Sequence, residues 1–145
     1  MNLIQLSNAL RNKTIGALEL TQEYLKKINK LNSNLNCYIT VCGDRAIEQA
    51  KAAQKLIDTN NAQPMTGVPI SIKDNICTKD IKTTCASKML SDFIPDYDAT
   101  VIKKLKNQGA VILGKTNMDE FAMGSSSRAS YYGCIKNPYN LSKVA

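Results

Sequence analysis

Apolar residues in the first half of the chain recur at the spacing that is typical of amphipathic helices. One helix is predicted over residues 17–31 by four apolar side chains on one face: Leu18, Leu25, Ile28 and Leu31. Gly16 suits the start of this helix, and the asparagine-rich residues 32–36 suit its end. A second helix is predicted around residues 46–57 by another apolar face: Ala46, Ala50, Ala53 and Ile57. Between the two helices, residues 37–41 alternate weakly, which favours a short strand or an extended segment.

The second half of the chain has shorter, continuous apolar runs. Residues 68–72 and residues 110–113 are two such runs, and each is predicted to be a buried strand. Between them lies a predicted helix followed by Gly109, which suits the left-handed position that closes many helices. A short helical turn over residues 118–123 and a small-residue loop over 124–127 follow. The order of strand, helix and strand predicts an α/β fold.

Composition and charge limit the classes of function. The chain has 145 residues, of which 43% are hydrophobic and 21% are charged, so we expect a globular domain without a secretory signal or a membrane span. The five cysteines show no metal-ligand spacing and are interpreted as reduced cytosolic thiols. No histidine is present, which excludes Ser-His-Asp and Cys-His catalysis within the chain and argues against a zinc site. The net charge of +7 is compatible with a nucleic-acid partner, but its spread along the chain also fits a general lysine bias.

Residues 109–116, GAVILGKT, match the phosphate-binding pattern GxxxxGK[ST] in letters only. A phosphate-binding loop follows a strand, precedes a helix and keeps its four central residues in a loop. Here a predicted helix comes first, and the central residues are strongly strand-forming. We therefore predict that this segment is a strand rather than a nucleotide site.

Four segments occur in an order and at a spacing that resemble the amidase signature family: GVPISIKDN, TTCASKML, YDATVIKKLKNQGAVILGKTNMDEFAMGSSS and KNPYNLSKVA. The run MDEFAMGSSS is the most specific of these features, and it resembles the branch formed by the A-type subunits of glutamyl-tRNA(Gln) amidotransferases. The resemblance implies the N-terminal part of the amidase-signature fold, a mixed sheet flanked by helices that is incomplete in this chain. It also implies a helical region over residues 1–60 and the start of the α/β core over residues 61–145.

Family members use a Ser-cis-Ser-Lys triad, and the resemblance places the family's lysine at Lys73. The two catalytic serines of the family lie beyond the segment that matches the end of this chain. Ser125, Ser126 and Ser127 resemble a different segment, which forms a wall of the substrate pocket. Where the family usually has Glu-Asn-Ser after that segment, this chain has Arg-Ala-Ser at residues 128–130. The local contacts that the Glu and Asn side chains make in the family are therefore not expected in this chain.

A lysine acts as a base only when it is neutral, and burial favours the neutral form of lysine. From the sequence pattern alone, Lys73 is interpreted as a solvated lysine at a strand end, whereas the resemblance implies the base of the triad. Strand alternation predicts that Asp74 points away from it. The resemblance also suggests that Met123 and Ser125 bind substrate. Core packing explains Met123 equally simply, and a role as an N-cap or loop residue is the favoured interpretation of Ser125 from the sequence.

The resemblance implies part of a glutamine-dependent enzyme that converts Glu-tRNA(Gln) to Gln-tRNA(Gln) with ammonia released from glutamine. B-type and C-type subunits, Glu-tRNA(Gln) and glutamine are the expected partners, in the cytoplasm or its organelle or symbiont equivalent. No cofactor or metal is expected in this chain, because ATP and magnesium would bind a partner subunit. The alternatives are a non-catalytic truncated remnant and a fragment of a generic amidase. Because both catalytic serines are missing, the isolated chain is predicted to be inactive.

Overall fold

The computed structural model describes residues 1–145. It contains four α-helices, five strands and one 3-10 turn, in the following order: α1 (Leu3–Arg11), α2 (Ala17–Leu35), β1 (Tyr38–Val41), α3 (Gly43–Asp58), β2 (Pro69–Lys73), α4 (Thr100–Asn107), β3 (Val111–Thr116), the 3-10 turn (Glu120–Ala122), β4 (Lys136–Asn137) and β5 (Asn140–Val144). None of the helices combines the length and the apolar character that crossing a bilayer requires.

The central sheet has three strands in the order β1-β3-β2. β1 runs antiparallel to β3. The backbone N–H of Val111 donates to the Val68 carbonyl over 2.9 Å, and that of Asp74 donates to the Thr116 carbonyl over 3.1 Å. Because these two bonds advance in the same direction along both strands, β2 and β3 run parallel. The mixed sheet confirms the predicted fold class. A separate antiparallel pair is formed by β4 and β5.

The chain forms two compact units, each built from three segments. The first unit comprises Met1–Lys27, Cys42–Ile70 and Thr100–Leu113. One apolar cluster of its core contains six buried residues: Leu10, Ala17, Leu20, Ala53, Ile57 and Val68. The second unit comprises Ile28–Val41, Ser71–Ala99 and Gly114–Ala145. Residue 60, where the sequence suggested a change from a helical region to an α/β core, lies inside a segment of the first unit.

The two predicted long helices are confirmed as α2 and α3. All four residues of the predicted apolar face of α3 are buried. α2 continues into the asparagine-rich segment and ends at Leu35, and the next residue, Asn36, has a left-handed φ of 55°. Helix α1 was not predicted. A capping box starts it, in which Asn2 accepts from the Gln5 N–H and the Gln5 side chain accepts from the Asn2 N–H.

The segment that resembles a phosphate-binding loop is a strand. Gly109 follows α4 with a φ of +74°, as predicted for a helix-closing residue. Residues 111–116 then form β3, in which Gly114 and Lys115 are interior strand positions and are buried. The prediction that this segment is a strand rather than a phosphate-binding loop is therefore confirmed by its backbone conformation.

Candidate functional site

Lys73 is the last residue of β2, and its side chain is exposed. The flanking residues Ile72 and Asp74 are buried, so Lys73 and Asp74 point to opposite sides as strand alternation predicts. The Lys73 side chain has no hydrogen bond or ion pair within the chain. The interpretation from the sequence pattern alone, a solvated lysine at a strand end, therefore describes Lys73 in these 145 residues, because nothing in them covers the amine. Its role as the base of the triad stays a prediction. Any burial of Lys73 must come from a surface outside this chain.

A cavity of about 220 Å³ lies beside Lys73, within the second unit. Ser125 also lines this cavity, so the structure brings two of the three predicted site residues together. Met123 is 79% exposed and does not line it. Core packing is therefore wrong for Met123, and its contact with substrate stays a prediction. The arrangement places an amine and a serine hydroxyl on the surface of one polar cavity.

A second lysine of this unit, Lys115, is completely buried. Its ammonium donates to the Ile76 carbonyl over 3.0 Å and to the Thr83 hydroxyl over 2.6 Å. Asp74 Oδ1, which has no hydrogen bond of its own, lies 3.4 Å from Lys115 Nζ. Asp74 Oδ2 accepts from both the backbone N–H and the hydroxyl of Thr84. The buried charges thus compensate each other.

Two acceptors and a carboxylate face the Lys115 ammonium and fix its position. A lysine held in this way supports the structure and is not accessible to a substrate. Sequence reasoning missed both Lys115 and Asp74 as structural partners. The available signal was a lysine inside a continuous apolar strand, which requires a buried counter-charge from elsewhere.

Asp119 organises the loop that forms one wall of the cavity. Its Oδ2 accepts from the backbone N–H groups of Ser126, over 3.1 Å, and Ser127, over 2.8 Å. Its Oδ1 accepts from the N–H of Ala129 over 3.3 Å. Asp119 is 8% exposed and lines the same cavity as Lys73. Sequence reasoning included Asp119 only as part of a motif and did not assign it this role.

Asn117 joins the cavity to the neighbouring chain segments. Its amide nitrogen donates to the carbonyls of Asn36, over 3.1 Å, and Gly133, over 3.0 Å. Its amide oxygen accepts from the Met118 N–H and from the Ser130 hydroxyl. The buried amide of Asn117 thus donates two hydrogen bonds and accepts two, which is its full capacity. Asn117 therefore holds together the backbone segments at the start of the cavity wall.

Two consecutive pairs of residues in the second unit have left-handed backbone conformations, and one member, Ala122, lines the cavity. Cys85 and Ala86 form one consecutive pair, with φ of 51° and 54°, and Phe121 and Ala122 form another, with φ of 51° and 62°. The Phe121 N–H donates to the Cys85 carbonyl over 2.9 Å and so links the two pairs. Non-glycine residues adopt this conformation at a cost in free energy and are found mainly where surrounding contacts impose it, often at functional sites.

The thiol of Cys85 is expected to be less reactive than that of Cys134. Burial raises the pKa of the Cys85 thiol, and the negative charge of Asp74 raises it further. A higher pKa lowers the thiolate fraction at a given pH, and the thiolate is the reactive form. Cys134 is exposed. At pH 8 we expect iodoacetamide to alkylate Cys134 first, as followed by mass spectrometry of peptides. Equal or faster labelling of Cys85 would contradict the expectation.

Comparison with known proteins shows the family. Residues 19–145 match the amidase family. The A-type subunit of a glutamyl-tRNA(Gln) amidotransferase from Coxiella burnetii (strain Dugway 5J108-111) is 51% identical over 142 residues, which cover 98% of this chain and 29% of that protein. The solved A-type subunit from Thermotoga maritima has a TM-score of 0.71 at 34% identity and is matched over 88% of this chain and 26% of its own. A native peptide amidase from Stenotrophomonas maltophilia has a TM-score of 0.88 at 31% identity, over 98% of this chain and 31% of its own.

This chain therefore spans less than a third of the length of these relatives. The similarity in sequence and in fold nevertheless extends over 88% or more of this chain in each of these three comparisons. The resemblance read from the motifs is confirmed: the chain belongs to the amidase family.

Proposed function

We propose that this chain is part of a glutamine-dependent amidotransferase that converts Glu-tRNA(Gln) to Gln-tRNA(Gln). Lys73 acts as the base of the step that releases ammonia from glutamine. The observation that carries this proposal is the position of Lys73, an uncommitted amine on the polar cavity that Ser125 also lines. The choice of reaction is supported by the 51% identity to the Coxiella burnetii protein, which is named for this amidotransferase.

The buried lysine helps to assign the base. Lys115 donates two hydrogen bonds and faces Asp74, so its proton is held in place. Lys73 has no such partner within the chain, so its amine is accessible to a hydroxyl group supplied from outside it. The end of β2 therefore carries the amine that a covering surface can bring into the relay, and the buried pair supports the turn that follows it.

The proposed chemistry is a proton relay for acyl transfer. A serine hydroxyl attacks the amide carbon of glutamine, its proton passes to a bridging serine, and the neutral amine of Lys73 takes the proton of the bridging serine. The proton returns along the same path to the leaving ammonia. Both serines of this relay are supplied from outside the 145 residues, as is the surface that covers Lys73. The chain alone accordingly contributes the base and part of the cavity wall.

The proposed complex contains B-type and C-type subunits, and it binds Glu-tRNA(Gln) as the acceptor of ammonia. ATP and magnesium act in a partner subunit, where the side-chain carboxylate of the tRNA-bound glutamate is activated. This chain supplies no residue to that step. Its role is confined to the amide-hydrolysing half of the reaction.

A chimera tests the proposal in a complete enzyme. In this chimera, our chain replaces the matching 142 residues of the Coxiella burnetii protein. We expect it to release ammonia from glutamine when it is assembled with the partner subunits. Changing Lys73→Ala should lower this rate by about a hundredfold to ten-thousandfold, the usual contribution of a general base.

Lys103→Ala is the matched control, because Lys103 is an exposed lysine of α4 outside the cavity. Its activity should equal that of the unchanged chimera. A chimera that hydrolyses simple amides but not glutamine would favour the generic amidase instead. A folded chimera that has neither activity would favour the remnant.

The isolated chain of 145 residues is expected to show no glutaminase activity, even with partner subunits. The reason is that it supplies a base without the two serines of the relay. Ammonia release can be measured with a coupled glutamate dehydrogenase assay. Release above background that disappears in Lys73→Ala would show that the chain contains a nucleophile of its own and would overturn this expectation.

A further inference from the structure

Resting on the proposed function, we propose that Asp119 is a positioning residue that sets the affinity for glutamine by holding the serine loop. The serine loop is defined here as residues Gly124–Ser127, all four of which line the cavity beside Lys73. Asp119 acts on these residues through backbone hydrogen bonds, without donating or accepting a proton in the reaction.

The geometry of the carboxylate supports this role. Three backbone N–H groups, those of Ser126, Ser127 and Ala129, converge on its two oxygens. Hydrogen bonds between a carboxylate and backbone N–H groups are among the stronger ones in proteins. A single side chain thus fixes the position of a loop that has no helix or strand of its own over residues 124–127.

The loop also packs directly on the carboxylate. A Cβ atom added to Gly124 would lie 2.5 Å from Asp119 Cγ and less than 3 Å from both carboxylate oxygens. No side chain can be accommodated there unless the carboxylate moves. Because Gly124 has no side chain, the Asp119 carboxylate can lie against the loop and accept from the N–H groups of Ser126 and Ser127.

The backbone of the serine loop needs this support. Ser127 has a left-handed φ of 56°, which non-glycine residues adopt only at a cost in free energy. Its hydroxyl donates to the Ser126 carbonyl and accepts from the Ile135 N–H. Without the carboxylate, the N–H groups of Ser126 and Ser127 would have to find other acceptors, and the loop would relax away from its present path.

The expected consequence is on the binding of substrate rather than on the chemical step. The serine loop lines the cavity but contains neither Lys73 nor a serine of the proposed relay. A loop that is disordered before binding must be ordered by the substrate, which weakens binding without removing a reacting group. Asp119 should therefore affect KM for glutamine strongly and kcat weakly.

Two measurements on the chimera test this inference. The first is hydrogen–deuterium exchange of the Ser126 and Ser127 amides without substrate, with the Val111 amide of β3 as the internal reference. The second is KM and kcat for glutamine hydrolysis. The variants are Asp119→Ala, Asp119→Asn and Gly124→Ala, with Gly43→Ala as a glycine control whose added Cβ meets no atom within 4 Å.

We expect Asp119→Ala and Gly124→Ala to speed exchange of the two amides and to raise KM by about tenfold or more, while kcat changes by less than about threefold. Asp119→Asn should lie between the wild type and Asp119→Ala in both measurements, since its single amide oxygen replaces only part of the acceptor set. Gly43→Ala should leave both unchanged.

Slow exchange in Asp119→Ala would overturn the inference, because the loop would then hold its position without the carboxylate. Fast exchange with an unchanged KM would also overturn it. A raised KM in Asp119→Asn with fully protected amides would contradict it too, because the carboxylate would then contact substrate directly. Failure of the proposed function is a separate outcome: the unchanged chimera would then hydrolyse no glutamine, while the exchange measurement would still report on the loop.

Discussion

Breaking the buried pair of Asp74 and Lys115 is expected to lower the free energy of unfolding more than any other single change. Removing one partner of a buried ion pair typically costs about 3–5 kcal/mol, because the other charge is left uncompensated. Both side chains are completely buried here, and the Lys115 ammonium is 3.4 Å from the carboxylate. Asp74→Asn and Lys115→Met should each approach this loss, which is a large part of the stability of an ordinary domain.

Urea denaturation of the 145-residue chain, followed by circular dichroism, measures the loss. The double variant Asp74→Asn/Lys115→Met removes both charges and should lose much less than the sum of the two single changes. Asp92→Asn is the control, because the pair of Asp92 and Lys82 is on the surface and such pairs contribute little. Single variants at Asp74 and Lys115 that unfold at the wild-type urea concentration would show that the pair has no such role.

Gly114→Ala is expected to have the second largest effect on stability. A Cβ atom at Gly114 would lie 2.2 Å from the Thr40 carbonyl oxygen and 3.1 Å from Cδ1 of Tyr38. The nearer atom belongs to the backbone of the paired strand β1, so it cannot rotate away. Strand β1 would have to separate from β3, and we expect a loss of about 3 kcal/mol, at the upper end of the usual cost of overpacking.

Gly43→Ala is the matched control for this prediction. Gly43 is the first residue of α3, and an added Cβ would meet no atom within 4 Å. Its urea midpoint should equal that of the unchanged chain or lie slightly above it, because alanine has less conformational freedom than glycine in the unfolded chain. If Gly114→Ala also unfolds at the wild-type midpoint, the close approach of β1 and β3 at this position would be refuted.

The parts of the fold that the sequence predicted are those in which local spacing determines the structure. The apolar face of α3 and the continuous apolar run of β3 are visible along the chain, and Gly109 marks the end of α4 through its own backbone freedom. The same local reasoning rejected the resemblance to a phosphate-binding loop, because strand-forming residues occupy its centre. Helix α1 was missed, although the capping pair of Asn2 and Gln5 was available as a signal.

The site depended more on contacts between distant residues. Asp74 and Lys115 lie in different strands or turns far apart in sequence, and no local pattern shows that one neutralises the other. The three N–H groups that converge on Asp119 depend on left-handed residues, such as Ser127, that propensities do not predict. The exposure of Lys73 agrees with the interpretation from the sequence pattern alone, a solvated lysine at a strand end. The pattern could not show which residues share the cavity beside it, because strand alternation gives only the side to which a residue points.

The central claim, that Lys73 serves only the release of ammonia, is tested most directly by supplying ammonia to the assembled chimera. Formation of Gln-tRNA(Gln) would be measured with glutamine or with ammonium chloride as the nitrogen source. Lys73→Ala should abolish the glutamine-dependent reaction and leave the ammonia-dependent reaction at the level of the unchanged chimera and of Lys103→Ala. Loss of both reactions in Lys73→Ala, or retention of the glutamine-dependent one, would contradict the account.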